Sequence, residues 1–144
     1  MDINIFGLRE ALEYLPTTTT YAIRIQGATL RHNFSLQNSD LYTIVEYTFD
    51  DDHPHLVGKI SPNSITFNEE IADKILRDFK EKGRDKETLL VHCSLGKNRS
   101  PAVGIALNEI FTLGQDTKQL KKRFNETNWY IYDLLIQSGK KYNS

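Results

Sequence analysis

Residues 87–111 read ETLLVHCSLGKNRSPAVGIALNEIF, and they decide the fold. The first part, Glu87 to Val91, is short and apolar with β-branched residues, which predicts a buried strand. From Pro101 onward apolar residues recur at helical spacing, and proline is suited to a first helical turn. The segment between them predicts a tight loop. In such a unit the backbone N–H groups of the loop and the helix N-terminus point at one bound anion.

The loop contains the only cysteine of the chain, and its spacing predicts nucleophilic chemistry on a phosphate. Five residues separate Cys93 from Arg99, which is enough for the loop to curl around a tetrahedral dianion, with backbone freedom supplied by Gly96. Arg99 can present two N–H donors to two phosphate oxygens. The same positive field favours the reactive thiolate. A thiolate beneath a phosphate predicts catalysis through a covalent phosphocysteine.

A buried cysteine followed by an ordinary cationic helix start would contain two of the same residues. The joint pattern of cysteine, glycine and arginine between a strand and a helix is far more specific than any one of them. Ser100 is placed to hydrogen-bond the sulfur and to assist its departure in a second step.

Residues 92–100, with the pattern His-Cys-x-x-Gly-x-x-Arg-Ser, resemble the signature of the cysteine-dependent protein tyrosine phosphatase superfamily. The compact size and the Arg-Ser-Pro continuation are most similar to its dual-specificity branch, especially small bacterial and viral members. The resemblance implies that Cys93 is the nucleophile, Arg99 the phosphate clamp and Ser100 the hydroxyl that assists thiolate departure. It implies that His92 orders the loop and favours the thiolate without transferring a proton. The implied phosphate-binding residues are Ser94, Leu95, Gly96, Lys97, Asn98 and Arg99.

Phosphate ester cleavage also needs a proton for the leaving oxygen. Members of the family take it from an aspartate on a loop upstream of the nucleophile, and here Asp50, Asp51 and Asp52 follow a strand-like segment at 41–47. Asp51 is the preferred general acid, because Phe-x-Asp after this strand resembles the related small phosphatases; Asp50 and Asp52 stay as alternatives. Three adjacent carboxylates repel one another, which keeps one of them protonated more easily.

Two histidines near the acidic run, His53 and His55, could suggest a zinc site. No cysteine or further histidine cluster lies nearby in the sequence, so we expect a loop without metal. The cysteine mechanism needs neither a metal nor another cofactor, and we expect none.

Composition bounds the remaining possibilities. The length of 144 residues predicts a single phosphatase domain, residues 1–144, with an ordinary globular content of 39% hydrophobic residues. A net charge of −1 gives no general attraction to nucleic acid or anionic membrane, and residues 118–123 read as the solvated face of an amphipathic helix. No apolar run is long enough for a membrane span, and the N-terminus lacks the pattern of a secretion signal. One cysteine and a thiolate mechanism favour the cytoplasm.

The chain alternates between strand-like and helix-like segments. Strands are predicted at 3–6, 21–25, 42–47 and 87–91, and helices are predicted at 8–15, from a capping box at 66–69 to near Gly83, from 101 to Gly114, from Asp116 or Thr117 toward Phe124, and from Trp129 onward. This order predicts an α/β fold with a central, mainly parallel sheet of about four to five strands and helices on both faces, as in protein tyrosine phosphatases. It places Cys93 at the carboxyl end of a central strand, where such folds bind ligands.

The substrate is left more open than the reaction. A phosphorylated protein is expected, with phosphotyrosine favoured over phosphoserine and phosphothreonine because a phenol leaves more readily. Lys97 matches a lysine of phosphoinositide phosphatases, although their second lysine is Ser94 here, and Asn98 is also seen in relatives acting on RNA 5′ phosphates. RNA ranks below protein because no basic groove is evident elsewhere. A phospho-binding module without turnover and a redox sensor are further alternatives, and the oligomeric state is open.

Overall fold

The fold is known from a computed structural model, which describes residues 1–28, 33–52 and 63–142. Its elements are β1 (Asp2–Phe6), α1 (Leu8–Glu13), β2 (Thr20–Gln26), β3 (Tyr42–Thr48), α2 (Glu69–Asp78) with a following π-helical turn (Phe79–Gly83), β4 (Thr88–His92), α3 (Arg99–Phe111), α4 (Thr117–Arg123), α5 (Trp129–Gly139) and a final 3₁₀ turn (Lys140–Tyr142). His53 and His55, which were weighed as metal ligands, lie outside the described residues.

The sheet confirms the predicted α/β class. Its four strands, counted over the described ranges, run in the order β1-β4-β2-β3, and every neighbouring pair is parallel. β4 therefore lies between β1 and β2. In its register His92 is level with Phe6 on one side and with Arg24 on the other. β1 and β4 therefore end at the same level, at the residue before Cys93, and β2 continues two residues further to Gln26. This places the cysteine at the predicted edge of the sheet.

Helices cover both faces of the sheet, as predicted, but unequally. The larger apolar cluster joins one face to α2, α3 and α5 and contains alternate residues of β2, namely Tyr21, Ile23 and Ile25. The smaller cluster lies on the other face and joins Ala22 and Leu90 to Ala11 of α1 and to Leu36. The strand period of two side chains explains why neighbouring residues of β2 enter different clusters.

The helix that follows the cysteine loop is the most deeply buried one. All residues of α3 from Ser100 to Phe111 are buried except Glu109. This burial explains why the helix has apolar residues on all of its sides. The helix ends at Phe111 rather than at the predicted stop, Gly114, because Thr112 already adopts a left-handed conformation with φ of 52°. The side chain of Asn108 holds the turn: its Oδ1 accepts from the Gln115 backbone N–H at 3.0 Å.

Two other helix starts were predicted from capping residues. The cap of α2 is Asn68 rather than Thr66, since its Oδ1 accepts from the Ile71 backbone N–H at 2.9 Å. Of the two residues predicted to start α4, Asp116 and Thr117, Asp116 is the cap, and its side chain accepts from the Gln119 N–H at 3.2 Å. Among the helices of the described ranges, none has the length and apolar character needed to span a bilayer.

Candidate active site

Cys93 directly follows β4 and is 2% exposed. Its sulfur lies inside the turn of the following loop: the Gly96 backbone N–H donates to Sγ at 3.3 Å, and Ser100 Oγ lies 3.2 Å from Sγ. The sulfur thus has one N–H group and one O–H group within hydrogen-bond distance. Ser100, which the sequence placed beside the sulfur, is therefore in contact with it, and the Gly96 N–H makes a second contact.

The Ser100 hydroxyl has two acceptors within reach and only one proton. It donates to the Phe6 carbonyl oxygen at 3.1 Å while lying against the Cys93 sulfur. Beside a neutral thiol the hydroxyl can keep its bond to Phe6. Beside a thiolate, which only accepts, it can turn its proton to the sulfur instead. Ser100 is fully buried, so water does not compete for that choice.

The cysteine loop is fastened to the end of β1. The Cys93 N–H donates to the Phe6 carbonyl at 3.3 Å, and the Leu8 N–H donates to the Ser94 carbonyl at 3.0 Å. Gly96 has a positive φ of 75°, and a Cβ on it would lie 2.5 Å from the Gly7 backbone nitrogen. No other residue type fits that approach without moving backbone, so Gly96 sets how tightly the loop curls.

Arg99 opens α3 and joins the loop to the end of β3. Its NH1 donates to the Phe49 carbonyl oxygen at 3.0 Å, and its NH2 lies 3.4 Å from Ser94 Oγ. These contacts hold the guanidinium beside the loop that contains Cys93. The guanidinium has five N–H donors, so it can still donate to an anion. The planar fork is thus oriented before any anion arrives, which reduces the ordering cost of binding one.

Asp51 is the carboxylate that the structure brings to the cysteine. It lies on the wall of a cavity of about 330 Å³, whose other lining residues are Cys93, Ser94, Leu95, Asn98 and Arg99. Asp51 Oδ1 accepts a hydrogen bond of 2.6 Å from Nδ2 of Asn128, the residue that caps α5. One carboxylate oxygen is therefore held by the protein, and the other is available to carry a proton.

The neighbouring aspartates occupy different surroundings. Asp50 is 7% exposed, and its Oδ2 accepts from the backbone N–H groups of Ala28 and Ile65 at 3.2 and 2.8 Å, so it holds two chain segments together. Asp52 does not line the cavity, and its buried Oδ2 has no hydrogen-bond partner within the described residues. Of the three alternatives, only Asp51 shares a cavity with Cys93.

The remaining loop residues face different ways. Leu95 is 73% exposed and forms an apolar part of the cavity rim. Asn98 also lines the cavity, while its Nδ2 donates to the Glu126 carbonyl at 2.6 Å. Lys97 belongs to the loop by its backbone, but its exposed side chain lines a second cavity of about 240 Å³ that it shares with Arg123. Leu95 and Asn98 of the loop thus line the cavity around the sulfur, and the Lys97 side chain points away from it.

His92 is fully buried and directly precedes Cys93 in the chain. Its Nδ1 lies 3.3 Å from the Cys93 carbonyl oxygen, and its Nε2 accepts from Nε of Arg24 at 2.9 Å. Sequence analysis did not identify Arg24 or Asn128. An arginine inside the apolar strand β2 was a usable signal, because such a charge is almost never buried unpaired. Asn128 offered only the local sign of a helix cap.

The larger cavities lie elsewhere. The largest described one, about 660 Å³, lies among Met1, Asp2, Arg84 and Phe111 at the opposite ends of the strands, and no cysteine lines it. Within residues 1–28, 33–52 and 63–142, no group of three His, Cys, Asp or Glu side chains is close enough together to hold a metal ion.

Comparison with known proteins shows a structural likeness and no match in sequence. No protein-family model matches the sequence, and no curated protein matches it. The chain is similar to the solved structure "Tk-PTP in the active form", with a TM-score of 0.49 and 15% sequence identity over 95% of this chain and 92% of that one. What the site can do chemically follows from its own geometry.

Proposed function

We propose that residues 1–144 form one phosphatase domain that hydrolyses phosphate monoesters on proteins through a phosphocysteine intermediate. The observation that carries the proposal is the Cys93 sulfur, which lies within a turn of N–H and O–H donors and shares one cavity with Arg99 and Asp51. A nucleophile, an anion clamp and a proton donor are the three groups that this reaction requires.

In the first step the Cys93 thiolate attacks phosphorus, the bond from phosphorus to the ester oxygen breaks, and Asp51 gives its proton to that oxygen. Arg99 and the loop N–H groups bind the phosphoryl oxygens as their charge is redistributed. In the second step water attacks the phosphocysteine, Asp51 takes a proton from the water, and the sulfur leaves as thiolate. The Ser100 hydroxyl, 3.2 Å from Sγ, stabilises that thiolate by donating to it.

Phosphotyrosine is the substrate that the cavity favours. Leu95 supplies an exposed apolar surface at the rim against which an aromatic ring can pack. A more highly phosphorylated ligand would favour an additional positive charge on the cavity wall around the sulfur. Lys97 does not supply that charge, because it lines a different cavity. Phosphoserine and phosphothreonine fit the same chemistry with a poorer leaving group. Because a thiolate nucleophile requires reducing conditions, the cytoplasm is the proposed place of action.

Hydrolysis of p-nitrophenyl phosphate by wild type, Cys93→Ser and Arg99→Ala tests the proposal. Wild type should turn over, Cys93→Ser should retain phosphate binding without turnover, and Arg99→Ala should lose both. Acid quenching of wild type during turnover of ³²P-labelled phosphotyrosine peptide should trap a labelled protein, and Cys93→Ser should trap none. Phosphotyrosine binding by wild type with no more hydrolysis than Cys93→Ser would show a binding module instead.

Substrate class needs a panel of its own. Phosphotyrosine, phosphoserine and phosphothreonine peptides, phosphoinositides and 5′-triphosphorylated RNA should be compared by kcat/KM at one salt concentration. We expect the phosphotyrosine peptides to give the highest value. Preference for the inositol lipid or for RNA would contradict the substrate proposal while leaving the phosphocysteine chemistry intact.

A further inference from the structure

Arg24 is a buried cation on the strand next to the nucleophile. It is 8% exposed, and it lies in β2 level with His92 of β4. Its side chain lies on the sheet face that is covered by α1 and by residues 33–41. Arg24 does not line the cavity that contains Cys93. Burial of a charge destabilises the fold unless its donors form hydrogen bonds within the protein.

Two hydrogen bonds hold the Arg24 guanidinium. Nε donates to Nε2 of His92 at 2.9 Å, and NH2 donates to the Phe34 carbonyl oxygen at 2.7 Å. Glu46, its register partner on β3, lies on the same face and accepts from Gln26 Nε2 at 2.7 Å. Burial lowers the pKa of Arg24, while Glu46 and Tyr42 act in the opposite direction. Guanidinium remains protonated in proteins, so all of its N–H groups stay donors.

The direction of the first hydrogen bond fixes the imidazole. A guanidinium offers no acceptor, so His92 Nε2 must carry a lone pair and not a proton. A second ring proton at Nε2 would also set imidazolium against guanidinium. The proton of the neutral ring must therefore be on Nδ1, which lies 3.3 Å from the Cys93 carbonyl oxygen and can donate to it.

We propose that Arg24 is a positioning residue for the Cys93 nucleophile, which acts by holding His92 as the neutral Nδ1–H tautomer and by placing a buried positive charge behind the phosphate loop. The proposal deepens the phosphatase function proposed above. The Nδ1–H group fixes the carbonyl of Cys93 and hence the start of the loop. The charge favours the thiolate in a region where water screens little.

The wild-type protein gives the first test. Imidazole ¹⁵N NMR at neutral pH, with the His92 signals assigned by their loss in His92→Asn, should show a protonated Nδ1 and an unprotonated Nε2. A protonated Nε2, or an imidazolium, would overturn the proposal. This measurement requires neither turnover nor an Arg24 variant that folds.

The second test separates positioning from simple support of the fold. The rate of Cys93 alkylation by iodoacetamide, measured against pH, reports the thiolate fraction. Arg24→Met should reduce that fraction about tenfold at a pH below the wild-type midpoint, which corresponds to a shift of one pH unit. Arg24→Lys should recover much of it, since it restores the charge. Gln26→Met is the matched control, because Gln26 is a buried polar residue on the same strand face and its Nε2 donates to Glu46.

Equal alkylation profiles for Arg24→Met, Gln26→Met and wild type would show that Arg24 supports the fold alone. If Arg24→Met does not fold, the wild-type tautomer and the Arg24→Lys profile still decide the matter. Both readouts are independent of hydrolysis. A protein with the Nδ1–H tautomer but no activity on aryl phosphates would retain this inference and refute the proposed function.

Discussion

Asn128 donates its side-chain N–H to Asp51 Oδ1 at 2.6 Å and its backbone N–H to the Asn98 carbonyl at 3.0 Å. One residue at the start of α5 therefore contacts both the candidate acid and the phosphate loop. Its Oδ1 also accepts from the Ile131 N–H, so the same side chain caps the helix. The distance between Asp51 and the Cys93 loop therefore depends on how α5 packs against the core.

Asn128→Ser should separate the two roles of this side chain. Serine can still cap α5, but it is too short to replace the amide donor at Asp51. We expect about a tenfold loss of kcat with phenyl phosphate, whose leaving group needs protonation, and a much smaller loss with p-nitrophenyl phosphate. Asn68→Ser is the matched control, because Asn68 caps α2 in the same way at an exposed position. Equal losses on both substrates would mean that Asn128 does not act through the acid.

Asp51→Asn should abolish the alkaline limb of the kcat/KM profile, because the group whose deprotonation causes it would be gone. With an alkyl or phenyl leaving group we expect a loss of about 100-fold or more. Asp50→Asn should keep the limb. Asp50→Ala leaves the Ala28 and Ile65 N–H groups without their acceptor, so the free energy of unfolding should fall by about 1–3 kcal/mol. An alkaline limb that survives Asp51→Asn and disappears in Asp52→Asn would move the acid role to Asp52.

Gly96→Ala should abolish phosphate binding and turnover. The added Cβ meets the Gly7 backbone nitrogen at 2.5 Å in a residue with φ of 75°, so the loop must open to admit it. Stability should fall by about 1–3 kcal/mol. Gly114→Ala is the control: it also has a positive φ, of 102°, but nothing lies within 4 Å of the new Cβ. It should cost about 1–2 kcal/mol in urea unfolding and leave vanadate inhibition unchanged. Vanadate binding that persists in Gly96→Ala would contradict the tight-loop account.

Two buried tyrosines predict loss of stability in alkali. Burial raises the pKa of Tyr21 to about 12, and burial, the nearby Tyr21 and a hydrogen bond to Asp78 raise the pKa of Tyr47. Below pH 10 both rings are neutral in the folded and unfolded chains, so their full contribution is present. Between about pH 10 and 12 the unfolded chain ionises first, and the free energy of unfolding should fall by about 1.4 kcal/mol per pH unit for each ring.

Urea unfolding from pH 9 to 11.5 checks this slope. Tyr21→Phe should make it shallower, because the phenylalanine ring has no hydroxyl to ionise. Phenolate absorbance should show the buried rings ionising together with unfolding. A slope that does not depend on Tyr21 would assign the alkaline instability to other groups.

Local pattern was enough to predict the sheet and the loop between β4 and α3. Strand β4, the glycine turn and the apolar α3 are contiguous in the chain, so periodicity and turn chemistry report them directly. The ends of helices were less accessible: Asn108 terminates α3 through a side-chain bond that periodicity does not record. The contacts that hold His92 and Asp51 in place could not be predicted from local pattern. Asn128 is 77 residues from Asp51, and Arg24 is 68 from His92, so only the assembled fold brings each pair together.

The attachment of the cysteine loop to β1 has a consequence for the newborn chain. β1 pairs only with β4 in the described sheet, so β1 has no strand partner until a segment more than 80 residues later in the chain has been made. Until then Phe6 and Leu8 have no loop to hold, and such distant pairings close slowly. The setting of the Cys93 thiol therefore depends on a contact between chain segments more than 80 residues apart, and the loop cannot form it alone.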